Sequence, residues 1–274
     1  MDIVVLTGSG LFLLLSFLGL GVCAGFLAGL LGVGGGIVLV PGLFYIFQSH
    51  GYESASLMHV AVGTSLAVIV PTGFSSARAH WRKGAVDIDM TRRIGIGIVP
   101  GAAVGALLAS HLSGATLQQV FALAVLFLAA VMAANPARLD LNIAPGKFLH
   151  GLAGFVIGAL SSLIGIGGAT LSVPYMSLCK MNMHRAVGTA SALGLLIAVP
   201  AAIGFVASGI GKAGLPPFSF GYMNVAAWVM VALSSVLIAP LGAYFAHRAP
   251  VDILRKIFAA FMLLVALKMW AEVF

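Results

Sequence analysis

Charge is the scarcest thing in this sequence. Lys, Arg, Asp and Glu make up 8% of its 274 residues, 14 basic and 7 acidic, while 61% of the chain is hydrophobic. Soluble domains carry roughly a quarter charged residues, so the composition excludes a water-soluble globule and fits a multi-pass membrane protein. Acids are missing where they would matter most. Asp2, Glu53, Asp87, Asp89, Asp140, Asp252 and Glu272 all fall between apolar segments or at their ends. A buried carboxylate is therefore excluded as an ion-coupling group. The bases form no run despite a net charge of +7, which argues against a nucleic-acid partner and for loop charges that set topology. Cys23 and Cys179 stand alone in apolar stretches, without metal or redox spacing, so no metal and no cofactor is expected. No His-Glu-x-x-His, Gly-x-Ser-x-Gly or intramembrane Asp pair occurs, so no enzyme activity is expected. The first apolar run lacks a basic leader and is long enough for a membrane span rather than a cleaved signal.

Glycine, by contrast, is abundant, and it is concentrated. Leu31-Gly-Val-Gly-Gly-Gly-Ile-Val-Leu-Val-Pro41 breaks an apolar run, and Ile164-Gly-Ile-Gly-Gly-Ala-Thr-Leu-Ser-Val-Pro174 breaks another. In lipid, freed backbone groups survive only where protein or a water-filled cavity satisfies them. Gly-interrupted segments at matching places in two halves are the best sequence pointer to a transporter's binding site. Other pairs recur in the same order: Met58-His59-Val-Ala-Val-Gly-Thr64 with Met183-His184-Arg-Ala-Val-Gly-Thr189, Leu117–Phe121 with Leu254–Phe258, and Pro71 and Pro100 with Pro200 and Pro240. An internal repeat follows.

Apolar segments lie at about 3–31, 36–48, 57–77, 93–110 and 115–134, then at 148–164, 168–180, 186–207, 221–246 and 252–272. The expected organisation is a first repeat over 1–134, a cytoplasmic linker over 135–147 and a second repeat over 148–274. If each glycine turn reverses the chain there are ten membrane segments. With the 77–92 loop inside, Arg78, Arg82, Lys83, Arg92, Arg93, Arg138, Lys147, Lys180, Arg185, Arg248, Arg255 and Lys256 lie on the cytoplasmic side. Only Lys212 and Lys268 remain outside, twelve bases against two. Treating each turn as a kink within one crossing loses much of that bias, so the positive-inside rule favours ten segments. Five per repeat is odd, which inverts the second repeat. The fold expected is an all-α polytopic membrane protein of two inverted repeats, each with a Gly-rich broken-helix hairpin. Segments 36–48 and 168–180 give helices of roughly 20 Å, too short for a hydrocarbon core of about 30 Å. The two turns should then meet near the midplane.

That geometry suggests a site. A helix begins after each turn, and its first N–H groups are unpaired and carry about half a positive charge. Glycine lets an anion approach them closely. We therefore take Gly34, Gly35, Gly36, Gly167 and Gly168 as candidate anion contacts, with close helix packing as the competing reading. Gly21-x3-Gly25-x3-Gly29 and Gly97-x3-Gly101-x3-Gly105 have true packing spacing. Thr64, Ser65, Thr170, Thr189 and Ser191 are candidate hydroxyl donors, although such hydroxyls also bond their own helix carbonyls. Around the second turn, Ser161, Ser162, Thr170 and Ser172 have no hydroxyl counterparts in the first half. His59 and His184 are repeat mates that titrate near neutrality, or else interfacial histidines. A nucleotide loop does not fit, because the P-loop lysine is absent.

At Gly32-Val-Gly-Gly-Gly36 with Val40-Pro41, at Ala61-Val-Gly-Thr-Ser65, at Arg82-Lys-Gly84 and at their second-half equivalents, the chain resembles the sulfite exporter TauE/SafE family. The resemblance covers essentially the whole chain, with Ala169 where the first half has Gly36. It implies an inner-membrane permease for sulfur-containing anions such as sulfite or organosulfonates, with a small anion and membrane lipid as its partners. A passive anion channel and a non-transporting sensor or enzyme are the alternatives.

Overall fold

The computed structural model describes residues 2–31, 35–52, 54–134, 146–246 and 251–272. Gly34, Glu53, Arg248 and most of the 135–147 linker lie outside the described residues. Among the described residues the chain is almost wholly helical: α1 (Asp2–Leu31), α2 (Gly36–Ser49), α3 (Leu57–Arg82), α4 (Ile88–His111), α5 (Gly114–Ala134), α6 (Lys147–Leu163), α7 (Ala169–Leu178), α8 (Met183–Gly209), α9 (Val225–Ala246) and α10 (Val251–Ala271). One two-residue strand pair, β1 (Ser219–Phe220) with β2 (Met223–Asn224), precedes α9.

Among the described residues six stretches are long and apolar enough to cross a membrane: Gly10–Leu30, Leu57–Arg82, Ile88–His111, Gly114–Met132, Met183–Gly209 and Val225–Gly242. Their outer faces carry exposed Phe12, Ile96, Phe127, Ile203 and Leu237, an apolar surface too extensive for a soluble monomer. α3 is the central helix, with 83% of its apolar stretch buried against 28% for α1. Buried polar starts are capped. Asp87 Oδ1 accepts from Met90 N at 3.0 Å to open α4, and Asn224 Oδ1 accepts from Ala227 N at 2.9 Å to open α9. Each satisfies a donor that the helix itself cannot. Pro71 frees the Ala67 carbonyl within α3, and Trp228 Nε1 donates to it at 2.9 Å, the kind of rescue that a mid-helix proline requires.

Glycines set the helix pairing. Gly97, Gly101 and Gly105 of α4 lie against Gly151, Phe155 and Ala159 of α6, where a methyl would strike backbone carbonyls. Both ladders advance together, so α4 and α6 run parallel. Gly21 and Gly25 of α1 face Val231 and Ser235 of α9, and that pair is also parallel. α3 and α8 pass each other in opposite senses: Gly63 neighbours Phe205, Gly73 neighbours Leu195, and Ser76 bonds Ser191. α2 lies back along α1, with Gly35 by Ala24, Gly42 by Leu20 and Phe47 by Phe17. The sequence suggested 13 residues for segment 168–180, but α7 has 10, because Cys179 and Lys180 leave the helix and Lys180 takes a positive φ of 59°. The segment expected to start at 221 becomes helical only at Val225, since Phe218 and Gly221, at φ 64° and 58°, turn the chain back as β1–β2.

Candidate functional site

The two glycine turns are built differently. Gly35, at φ 74° and ψ −6°, precedes α2, and its carbonyl accepts from Val38 N and Leu39 N at 3.0 Å each. This left-handed conformation suits glycine. In the second turn it is Gly165 that is left-handed, at φ 70°. Ile166 N donates to Ser161 O at 3.0 Å and Gly165 N to Ser162 O at 3.3 Å, the paired closing bonds of a Schellman motif that ends α6. Gly168, at φ −58° and ψ −24°, is already helical.

The turns touch. A Cβ on Gly36 would stand 2.8 Å from Ile166 Cα and 3.1 Å from Gly167 N. Ser65 Oγ donates to the Gly165 carbonyl at 2.9 Å, which ties the second turn to α3. Behind the contact lies a cavity of about 20 Å³, room for a single water. Gly167, Gly168 and Ala169 of the second turn, Thr72 and Ser76 of α3, and Ser191 of α8 line it together with small apolar residues. Among the described residues no charged side chain lines it. Its polarity comes from three hydroxyls and the first turn of α7. Thr72 Oγ1 donates to Val68 O at 2.8 Å, Ser76 Oγ to Ser191 Oγ at 3.2 Å, and Ser191 Oγ to Val187 O at 3.0 Å.

The structure thus brings Gly167, Gly168 and Ser191 to one cavity, while Gly35 and Gly36 of the first turn and Ser65 of α3 do not line it. Thr64 and Thr189 are elsewhere. Thr64 Oγ1 accepts from Asn224 N at 2.9 Å, and Thr189 Oγ1 from Asp87 N at 3.0 Å, so both oxygens serve helix starts. Thr170 is 2% exposed and its hydroxyl has no partner; Ser161 and Ser172 are buried in the same condition. These orphans sit on the two helices that meet at the second turn, and each costs about 1–3 kcal/mol unless something binds it. His59 is buried, its Nε2 3.0 Å from Ala109 O and its ring 4.9 Å from Tyr222, whereas His184 is exposed. The repeat mates therefore share no environment. Thr72 and Ser76 escaped the sequence reading. Their signal was a pair of hydroxyls four apart, just after Pro71, in an otherwise apolar segment.

Comparison with known proteins decides the family. The model of the sulfite exporter TauE/SafE family matches residues 17–269. The chain belongs to that family. A probable membrane transporter protein of Haemophilus influenzae is 33% identical over 264 residues, 95% of this chain and 99% of the relative. The probable membrane transporter protein YdhB of Bacillus subtilis is 28% identical, covering 85% of this chain and 90% of the relative. One from Methanocaldococcus jannaschii is 26% identical, covering 81% and 82%. No solved structure matches. As a TauE/SafE member with six candidate spans, the chain is a multi-pass membrane transporter rather than an enzyme.

Proposed function

We propose that the chain is a secondary transporter for small sulfur-containing anions such as sulfite or organosulfonates. It works by alternating access between two inverted repeats, 1–134 and 148–274, joined on the cytoplasmic side of an inner membrane. The observation that carries this reading is the contact of the two glycine turns at the start of α7, where Ser161, Thr170 and Ser172 bury hydroxyls without a partner. The first turn of α7 adds donors and a positive dipole end there. With no carboxylate in the lining, the cavity has nothing to pair with an ammonium, which favours anions over zwitterions such as taurine.

The helix pairing supports the inverted repeat. Exchanging α1 with α6 and α4 with α9 turns the α1–α9 pair into the α6–α4 pair, and both are parallel and glycine-lined. The antiparallel course of α3 and α8 supports chain reversal at the second turn, and α2 lying back along α1 supports it at the first. Were the second turn a kink within one crossing, α3 and α8 would cross in the same direction.

Purified protein in liposomes tests the reading. Counterflow of labelled sulfite or sulfoacetate against the unlabelled anion is the expected result. Downhill flux without counterflow would make the protein a channel, and no binding of any sulfur oxyanion would reject the substrate class.

A further inference from the structure

The repeated Gly-Thr pairs do not line the cavity, yet they form the same structure twice. At Gly63-Thr64 of α3, a methyl on the glycine would strike the Tyr222 carbonyl, and Thr64 Oγ1 accepts from Asn224 N at 2.9 Å. At Gly188-Thr189 of α8, a methyl would stand 2.6 Å from the Ala85 carbonyl, and Thr189 Oγ1 accepts from Asp87 N at 3.0 Å. In each case the glycine makes a notch and the threonine grips the residue that opens a helix of the other half. α3 receives the start of α9; α8 receives the start of α4.

The notches lie at opposite ends of the antiparallel α3–α8 pair. Ser76, twelve positions beyond Thr64, is beside Ser191, so they are roughly 20 Å apart along the helix axis. The cavity and the turn contact lie between them. Their chemistry differs. Asn224 is neutral and is held further by Nδ2 bonds to Pro217 O and Ser219 Oγ, at 2.8 and 3.3 Å. Asp87 instead pairs Oδ2 with Arg185 Nη2 at 3.1 Å, with side chains 22% and 56% exposed.

We propose that these notches are the outer and inner gates of the transport path, each a latch that one half of the chain closes on the other. This rests on the alternating-access reading. Both latches are closed here, which makes this the occluded arrangement. Opening toward the cytoplasm requires Asp87 to leave Thr189 and Arg185 while Asn224 stays on Thr64; opening outward requires the reverse. Among the described residues only the inner latch holds an ion pair, so salt screens it and not the outer one.

The test is a single reporter, Ser76→Cys in the cavity, with Cys23 and Cys179 replaced by Ala. Its reaction with a thiol reagent is timed from the cytoplasmic face of inverted vesicles. Thr189→Val should speed labelling by about two- to tenfold and Thr64→Val should slow it by a similar factor, the loss of one hydrogen bond in each case. Asp87→Asn keeps the helix cap and the amide donated to Thr189 but deletes the ion pair. It should speed labelling by about two- to fivefold and abolish the acceleration that high salt gives the parent. Thr64→Val and Thr189→Val shifting the rate in one direction, or neither shifting it, overturns the gates. If a threonine variant fails to fold, an unchanged rate and salt response in Asp87→Asn does the same. Sulfite and sulfoacetate binding by the parent is measured alongside. Absent binding rejects the proposed substrate class, while opposite shifts in labelling would still identify the gates.

Discussion

Two residues on the second turn separate a binding site from a packing feature. Thr170 buries a hydroxyl without a partner, which lowers stability unless a ligand takes it. Thr170→Val should leave the melting temperature unchanged or slightly higher. It should weaken anion binding by about 1–3 kcal/mol, measured by titration of sulfite into the purified protein. Equal affinity would assign the threonine to packing. Gly168 makes the sharper case, because it is helical and needs no positive φ. A methyl there meets Ile197 Cδ1 at 2.7 Å and the Gly194 backbone of α8 at 3.2 Å, beside the cavity that both glycines line. Gly168→Ala should fold and bind anion up to about tenfold more weakly, because the methyl pushes the start of α7 away from α8. Gly35→Ala puts Cβ on a φ of 74° and 2.9 Å from Ala24 O, so it should cost at least about 1 kcal/mol of stability before any effect on binding. Melting temperature and affinity for both variants tell strain from site. The sequence marks both glycines alike; only the backbone angles show that Gly165, not Gly168, is the counterpart of Gly35 in conformation.

At the level of elements, periodicity and punctuation located the helices well, because apolar runs bounded by Gly, Asn and Asp carry most of the signal. What escaped was tertiary. β1–β2 depends on Phe218 holding φ 64°, which no local preference of phenylalanine predicts. The acceptor roles of Thr64 and Thr189 depend on residues 160 and 102 positions away, so composition around each threonine could not reveal them. The same holds for Ser65, whose partner is the Gly165 carbonyl 100 positions on. That bond anchors the second turn to the central helix, and without it a buried carbonyl loses its donor. Ser65→Ala should therefore lower stability by about 1–3 kcal/mol, and it should broaden anion affinity loss beyond what a distant core cavity causes. Thermal melts with and without sulfite check this: the ligand-induced rise in melting temperature should shrink in Ser65→Ala. An unchanged rise would leave Ser65 as a packing residue.

For the whole molecule, charge placement and helix direction are independent observations, and they converge. The twelve-to-two division of bases favours chain reversal at each glycine turn. The α3–α8 contacts, which say nothing of charge, run antiparallel as reversal at the second turn demands. A kink at the second turn would make that pair parallel, and a kink at the first would not let α2 lie back along α1. The two arrangements differ most simply in the second half. With the 77–92 loop inside, reversal puts the start of α8 in the cytoplasm and the loop holding Lys212 outside, whereas a kink exchanges them. Lys180 is a poor labelling position because of its φ of 59°. Met183, 49% exposed in the first turn of α8, is better. In a cysteine-free background, Lys212→Cys should react with an impermeant thiol reagent added outside intact cells, and Met183→Cys should react only after the membrane is opened. Labelling of 183 but not 212 from outside would remove the reversal at the second turn, and with it the inverted repeat on which the alternating-access mechanism depends.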